Sequence, residues 1–286
     1  MDGKLADSKL LASPPLTVAA KVAVLLPASG SSSRFSSSVS GAPCSTPAMP
    51  AAVNGTCSWT KLKQYQTVGE ERTPILIHTI TAFANIPWIS NIVLMVQEHL
   101  VQCTQALLQA HLNDNCLLSS GRVTIRAGSE TRHRTIQGGV HEISSWTDKP
   151  AVVIVHDVVR PLIDEATCLK VVGAASQYGA AGVYVPLVST ILRIDSEGMM
   201  SEALPRHDLF SSEMPQCFRL SVLEDAYRSA SEEELTNGTE CLALAKKYSK
   251  CQVKMIPVDP NRYFKVTYER DLLTVNAMVV KDRRSF

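Results

Sequence analysis

The chain has 286 residues, 45% of them hydrophobic and 19% charged, which is enough apolar matter for one substantial core, in one large domain or two small ones. A formal charge of +1 excludes the basic excess that advertises nucleic acid or an anionic membrane, so any anion site must be a local gathering of lysine and arginine. No apolar run approaches the roughly 18 residues that span a bilayer.

Residues 1–20 carry Asp2, Asp7 and a Pro14-Pro15 pair around a very short apolar patch. They make a poor secretory leader and are expected to form a disordered tail. The rest, 21–286, reads as a single domain. Its eight cysteines are scattered without a CxxC pair, and several fall in apolar segments where a buried free thiol is the simplest reading. A reducing compartment, most simply the cytosol, is expected.

Strand-like apolar runs and amphipathic stretches then alternate. "KVAVLLPAS" (21–29) opens the series and empties into the small-residue loop "LLPASGSSSRF" (25–35). Residues 36–58 are Ser, Ala and Pro with almost no charge, and read as a low-complexity insertion expected to be mobile. Helix 74–84, strand 91–97, helix 98–112, strand 122–128, helix 131–145, strand 151–157, helix 165–178 and strand 180–188 follow. After a hairpin-like arm at 189–218 come helices 219–230 and 239–249, strand 251–258 and a last helix over 268–282. Several strands are apolar throughout, as parallel strands covered on both faces are. The pattern predicts an α/β fold with a doubly wound, mostly parallel sheet, whose ligands gather at the carboxyl ends of the strands.

Four segments at those ends carry chemistry. The loop at 25–35 lacks the GxGxxG dinucleotide fingerprint and the GK[ST] of a P-loop, so phosphate binding there competes with an ordinary solvated loop. If the insertion is looped out, Arg34 and Lys63 of "TKLKQY" become neighbours at the mouth of the first strand, and two cations over backbone N–H groups suit a triphosphate. In "VIVHDVVRP" (153–161), Asp157 stands at a strand tip, where it meets either a divalent cation or Arg160 as a local ion pair. His156 reads as a packed residue, because no other histidine stands at a ligand spacing. "AGSETRHRTIQGGV" (127–140) offers Ser129, Thr131, Arg132, Arg134 and Thr135 at a helix start, suited to a base edge or phosphate, or else to capping and solvation. "NRYFKVTYERDL" (261–272) ends a strand-like stretch with Lys265.

Together the series "PASGSSSRF", "LKQY", "TRHRTIQGG", "VHDVVRP", "GAAGVYVPLVST", "SEMPQCF", "NGTECLALAKKY" and "FKVTYERDL" resembles the 2-C-methyl-D-erythritol 4-phosphate cytidylyltransferase family, and within it the animal, ribitol-phosphate branch. The likeness runs from Val22 to the last helix. It implies a Rossmann-like nucleotidyltransferase fold and transfer of CMP from CTP to D-ribitol 5-phosphate, giving CDP-ribitol for ribitol-phosphate modification of protein O-mannosyl glycans. It implies Mg²⁺ or another divalent cation on Asp157, with CTP phosphates on Arg34 and Lys63. Ala28, Ser29, Gly30, Ser129, Glu130, Arg132 and Thr135 would lie around the nucleotide. Thr190, Arg206 and Lys265 would receive the acceptor phosphate, and the 189–218 arm would clasp a second copy in a homodimer. Two departures stand out: Ser32 replaces the loop's second family glycine, and Arg262 replaces a carboxylate before the lysine. Methylerythritol phosphate as acceptor and an inactive nucleotide-binding dimer remain alternative readings.

Overall fold

Along β1 (Val22–Pro27), Val22, Val24 and Leu26 enter one hydrophobic cluster while Ala23 and Leu25 enter another. Successive strand residues point to opposite faces, so a strand apolar at every position must be covered on both sides. The computed structural model, which describes residues 20–30, 32, 35, 62–112 and 116–283, builds that arrangement. The readings for the tail 1–20 and the insertion 36–58 lie essentially outside the described residues, as does Arg34.

The central sheet has seven strands in the order β11-β7-β10-β6-β1-β4-β5. Here β4 is Ile89–Val96, β5 Val123–Ala127, β6 Val152–Val155, β7 Gly179–Pro186, β10 Phe210–Arg219 and β11 Gln252–Pro257. Two small pairs lie outside it: β2 (Thr67–Val68) with β3 (Thr73–Pro74), and β8 (Ile191–Ile194) with β9 (Met200–Leu204). All neighbours in the central sheet run parallel except β10, which is antiparallel to both β6 and β7. Under the first face pack α1 (Ile75–Ala84), α2 (Val101–His111), α5 (Glu165–Tyr178) and α9 (Asp271–Arg283). The opposite face is covered by α4 (Arg132–Ser144), α6 (Leu220–Ser229), α7 (Glu232–Asn237) and α8 (Cys241–Tyr248). A short α3 (Cys116–Ser119) precedes β5.

Two corrections follow. The arm at 189–218 is shorter than its sequence implied: only the β8–β9 hairpin leaves the sheet, and 210–219 returns as the long strand β10. Pro215 hid that strand, because proline cannot donate to a ladder. It is accommodated where the pairing with β7 shifts register between Glu213 and Gln216, and Met214–Phe218 are buried. Among the described residues Cys168, Cys217, Cys241 and Cys251 are free thiols, the first three buried, whereas Cys103 is disulfide-bonded, which the scattered spacing did not show. No helix among the described residues is long and apolar enough to cross a membrane.

Helix α4 lies against the middle of the sheet because Gly139 lets it approach β1. A Cβ at Gly139 would stand 2.3 Å from Leu25 Cδ1 and 2.9 Å from Cδ2, and Leu25 is fully buried. Alanine normally favours a helix by up to about 1 kcal/mol over glycine, but overpacking a closed core costs about 1–3 kcal/mol. Gly139→Ala should therefore lower the urea midpoint; an unchanged midpoint would mean that Leu25 has room to shift.

Candidate active site

The strand order reverses at β1, which pairs β4 on one side and β6 on the other. In an open α/β sheet the loops leaving such a point diverge, and a crevice opens beyond the strand ends. A cavity of about 260 Å³ lies there, lined by Pro27, Ala28, Ser29, Gly30, Ser32, Phe35, Lys63, Gln64, Glu130, Arg132, Asp157, Val158, Val159 and Lys265.

Its first wall is the loop after β1. Ala28 donates its N–H to the Met95 carbonyl at 2.7 Å, which continues the ladder by one residue. The Ala28 carbonyl accepts from Gln64 Nε2 at 2.9 Å, and the Ser29 carbonyl from Gln97 Nε2 at 3.0 Å. The next turn places Ser32 in the left-handed region, φ 57°. The missing family glycine therefore matters, since an L-residue there costs roughly 1–2 kcal/mol. Serine brings a compensating contact: its hydroxyl accepts the Lys63 N–H at 3.2 Å and reaches Gln64 Oε1 at 3.3 Å. The loop is thereby tied to the lysine segment.

The second wall is the loop from β5 into α4. Gly128 permits it to lie beside the first loop, because a Cβ there would come within 2.7 Å of Ser29 Cβ. Thr135 Oγ1 accepts from the Ser129 N–H at 3.0 Å and lies 2.6 Å from Ser29 Oγ, while the Ser129 carbonyl takes a hydroxyl hydrogen bond from this pair. Ser129 and Thr135 thus stand behind Ser29 and set its orientation; Glu130 and Arg132 reach the cavity. Thr131 caps α4 through the Arg134 N–H and donates to the Leu235 carbonyl, so the capping reading holds at Thr131. Thr135→Val keeps the shape and removes the hydroxyl. It should cost about 1–2 kcal/mol of stability and loosen Ser29. Urea unfolding and nucleotide titration check this, and equal values for variant and parent would contradict it.

The third wall is "VHDVVRP". Asp157 is 6% exposed and meets three cations: Lys265 Nζ at 2.9 Å, Arg160 Nε at 3.2 Å and an Arg132 Nη at 3.5 Å. Burial works against its ionisation, but Lys265, then Arg132 and Arg160, outweigh burial and hold the carboxyl well below the usual carboxylate range. Of the two readings of Asp157, the Arg160 ion pair is present, and the ionised carboxylate also lines the cavity. Arg160 also reaches Glu213 of β10 and the Tyr263 carbonyl, and the Val266 N–H donates to the Val159 carbonyl. These bonds seat the Lys265 segment over Asp157. His156 is fully buried, its Nε2 3.0 Å from the Arg160 carbonyl and its ring edge-on to Phe83. Burial pushes it down to about 4, so it is a neutral packed residue.

Of the residues singled out in the sequence, Ala28, Ser29, Gly30, Lys63, Glu130, Arg132, Asp157 and Lys265 line one cavity. Thr190 and Arg206 do not. Both are exposed at the base of the β8–β9 arm, where Arg206 donates to the Val188 carbonyl. Gln64, Phe35 and Val159 were not singled out beforehand; Gln64 was visible only as the neighbour of Lys63.

The family model described as 2-C-methyl-D-erythritol 4-phosphate cytidylyltransferase matches residues 47–281. The chain belongs to this family. Within it, the D-ribitol-5-phosphate cytidylyltransferase of Xenopus tropicalis is 38% identical over 212 residues, covering 72% of this chain and 50% of that protein. Its counterpart in Homo sapiens is 36% identical over 217 residues, covering 74% and 46%. The chain spans about half the length of these animal relatives. The 2-C-methyl-D-erythritol 4-phosphate cytidylyltransferase of Acidobacterium capsulatum is 29% identical over 255 residues, covering 88% of this chain and 94% of its own. The 4-diphosphocytidyl-2C-methyl-D-erythritol synthase structure from Anaerococcus prevotii superposes with a TM-score of 0.66 at 19% identity, over 91% of this chain and 96% of that one. At that identity the likeness is one of fold, and family membership fits the mixed sheet and its crevice.

Proposed function

We propose that this cytidylyltransferase-family chain transfers CMP from CTP to D-ribitol 5-phosphate, releasing pyrophosphate and CDP-ribitol. The observation that carries the reading is the cavity at the strand reversal, where Lys265 and Arg132 meet an ionised Asp157 and Lys63 lines the same space. The names of the animal relatives favour ribitol 5-phosphate over the methylerythritol compound.

The charges give the mechanism. An oxygen of the acceptor phosphate attacks the α-phosphorus of CTP in line; the new P–O bond forms as the bond to the β-phosphate oxygen breaks, and the electron pair leaves with pyrophosphate. An ionised phosphate needs no general base. Lys63 and Arg34 would hold the departing phosphates, Lys265 would turn from Asp157 to the acceptor phosphate, and Ala28, Ser29, Gly30 and Glu130 would bound the nucleoside. Catalysis is positioning plus preorganised charge.

The residues fit a divalent cation that arrives with the nucleotide. Among those described, no group of three or more His, Cys, Asp or Glu could cage a metal, but Mg²⁺ commonly takes one carboxylate and completes its shell with phosphate oxygens and water. Asp157 would be that carboxylate. When bound, Mg²⁺ supplies charge to the phosphates and fixes their geometry.

We further propose a homodimer through the β8–β9 arm. Leu192, Ile194 and Met200 are 48%, 60% and 60% exposed on it, and Thr190 and Arg206 at its base would serve the second copy's cavity. The cytosol is our assigned compartment, on the buried free thiols Cys168, Cys217 and Cys241; the Cys103 disulfide runs against it, and a thiol titration that finds Cys103 oxidised in freshly isolated protein would overturn the assignment. Use of the product for ribitol-phosphate modification of protein O-mannosyl glycans belongs to the same proposal. The deciding experiment measures pyrophosphate release from CTP with Mg²⁺ and a panel of polyol phosphates. Turnover with ribitol 5-phosphate is expected, turnover with the methylerythritol compound alone would overturn the acceptor, and CTP binding without product would favour an inactive binding protein.

A further inference from the structure

Behind Arg132 lies a buried polar chain that the mechanism above does not use. Arg132 Nη1 donates to Cys241 Sγ at 3.2 Å, Cys241 Sγ lies 3.3 Å from the Tyr227 hydroxyl, and that hydroxyl lies 2.8 Å from His133 Nδ1. Cys241 is 0% exposed, Tyr227 1% and His133 1%. The other guanidinium nitrogen, Nη2, is buried without a hydrogen-bond partner, 3.5 Å from Asp157 and beside the cavity. An arginine fork is planar, so fixing one nitrogen from behind fixes the direction in which the other points.

We propose that Cys241, backed by Tyr227, is a positioning residue that holds the Arg132 fork toward the nucleotide phosphates. The proposal rests on the CTP reading of the cavity and extends it to a residue outside the lining. A thiol suits the task. Its sulfur is a weak acceptor that occupies one N–H without forming an ion pair, so the guanidinium charge stays available to the carboxylate and phosphates in front. The sequence places Cys241 at the first turn of α8, immediately after Glu240, whose carboxylate caps that helix through the Leu242 N–H at 2.9 Å. The cap fixes the helix start, the helix start fixes the sulfur, and the sulfur fixes Arg132. Tyr227 comes from α6, so two helices on one face converge on one guanidinium.

The test compares the wild-type chain with Cys241→Ala, Cys241→Val and Cys241→Ser, reading CTP dissociation by calorimetry alongside KM and kcat. Losing the acceptor should weaken CTP binding and raise its KM about tenfold in the alanine and valine variants. The serine hydroxyl, which can accept the same N–H, should recover much of that loss. Valine fills the space with apolar atoms and stands in should alanine unfold the helix start. A purely structural role would reduce the melting temperature and the folded fraction while leaving dissociation constant and KM unchanged, and that result overturns the proposal. Wild-type chain that binds no CTP would overturn the cavity reading as well. Normal wild-type binding beside unaltered binding in both apolar variants would overturn the role of Cys241 alone.

Discussion

Asp157→Asn should cost roughly 3 kcal/mol of stability and at least about 10²-fold in pyrophosphate release. The amide keeps the shape but removes the one negative charge that Lys265, Arg160 and Arg132 share, leaving three cations converging on a neutral group. The variant also changes the acid limb of stability. The folded carboxyl titrates well below its ordinary value of 3.8, so its contribution is present above that value and is lost as pH falls from there through the lower folded value. Wild-type protein should lose stability across that window, whereas Asp157→Asn should lack this part of the slope. Urea midpoints measured from neutral pH down to the acid limit give both results. Equal midpoints at neutral pH would show that the three cations are satisfied without Asp157. A normal Mg²⁺ titration of activity in the variant would leave only the ion-pair role.

Lys63→Ala should lower kcat about 10²-fold with a stability change below about 0.5 kcal/mol. Its side chain is partly exposed at the cavity rim, so removing it leaves no hole in the core. The bond that locates the segment runs from the backbone N–H of Lys63 to Ser32 Oγ and survives the substitution. Loss of rate without loss of fold is the signature of a group whose charge acts on the substrate. The measurement is pyrophosphate release at saturating CTP beside a thermal melt, and an undiminished kcat would remove Lys63 from the phosphate site.

Both variants follow from positions that were legible before any coordinates. The tip of an apolar strand carrying Asp157, and a lysine placed after an insertion, are local features. Strand periodicity and the mouth of β1 assign them to the same sheet edge. The Asp157–Arg160 pair is likewise local, three residues apart in one loop. The strand β10 was not legible, because Pro215 and the polar run before it mimic an arm, and only its neighbours β6 and β7 supply the pairing that makes it a strand. Ser32 was recognisable as a substitution, yet its left-handed backbone and its bond to the Lys63 segment exist only once residues 62–66 fold against the first loop.

The sequence by itself determined the alternation of strands and helices, the coverage of both sheet faces and the family, because these depend on residue type and spacing along the chain. Tertiary structure alone decided that Lys265 and Arg132 meet at Asp157, that Cys241 lies behind Arg132, and that Thr190 and Arg206 stand away from their own chain's cavity. The physical reason is range. Hydrophobic period is written into neighbouring residues, whereas a charge cluster between distant segments is set by strand order, by loops that small residues such as Gly128 allow to touch, and by hydrogen bonds that seat one segment on another.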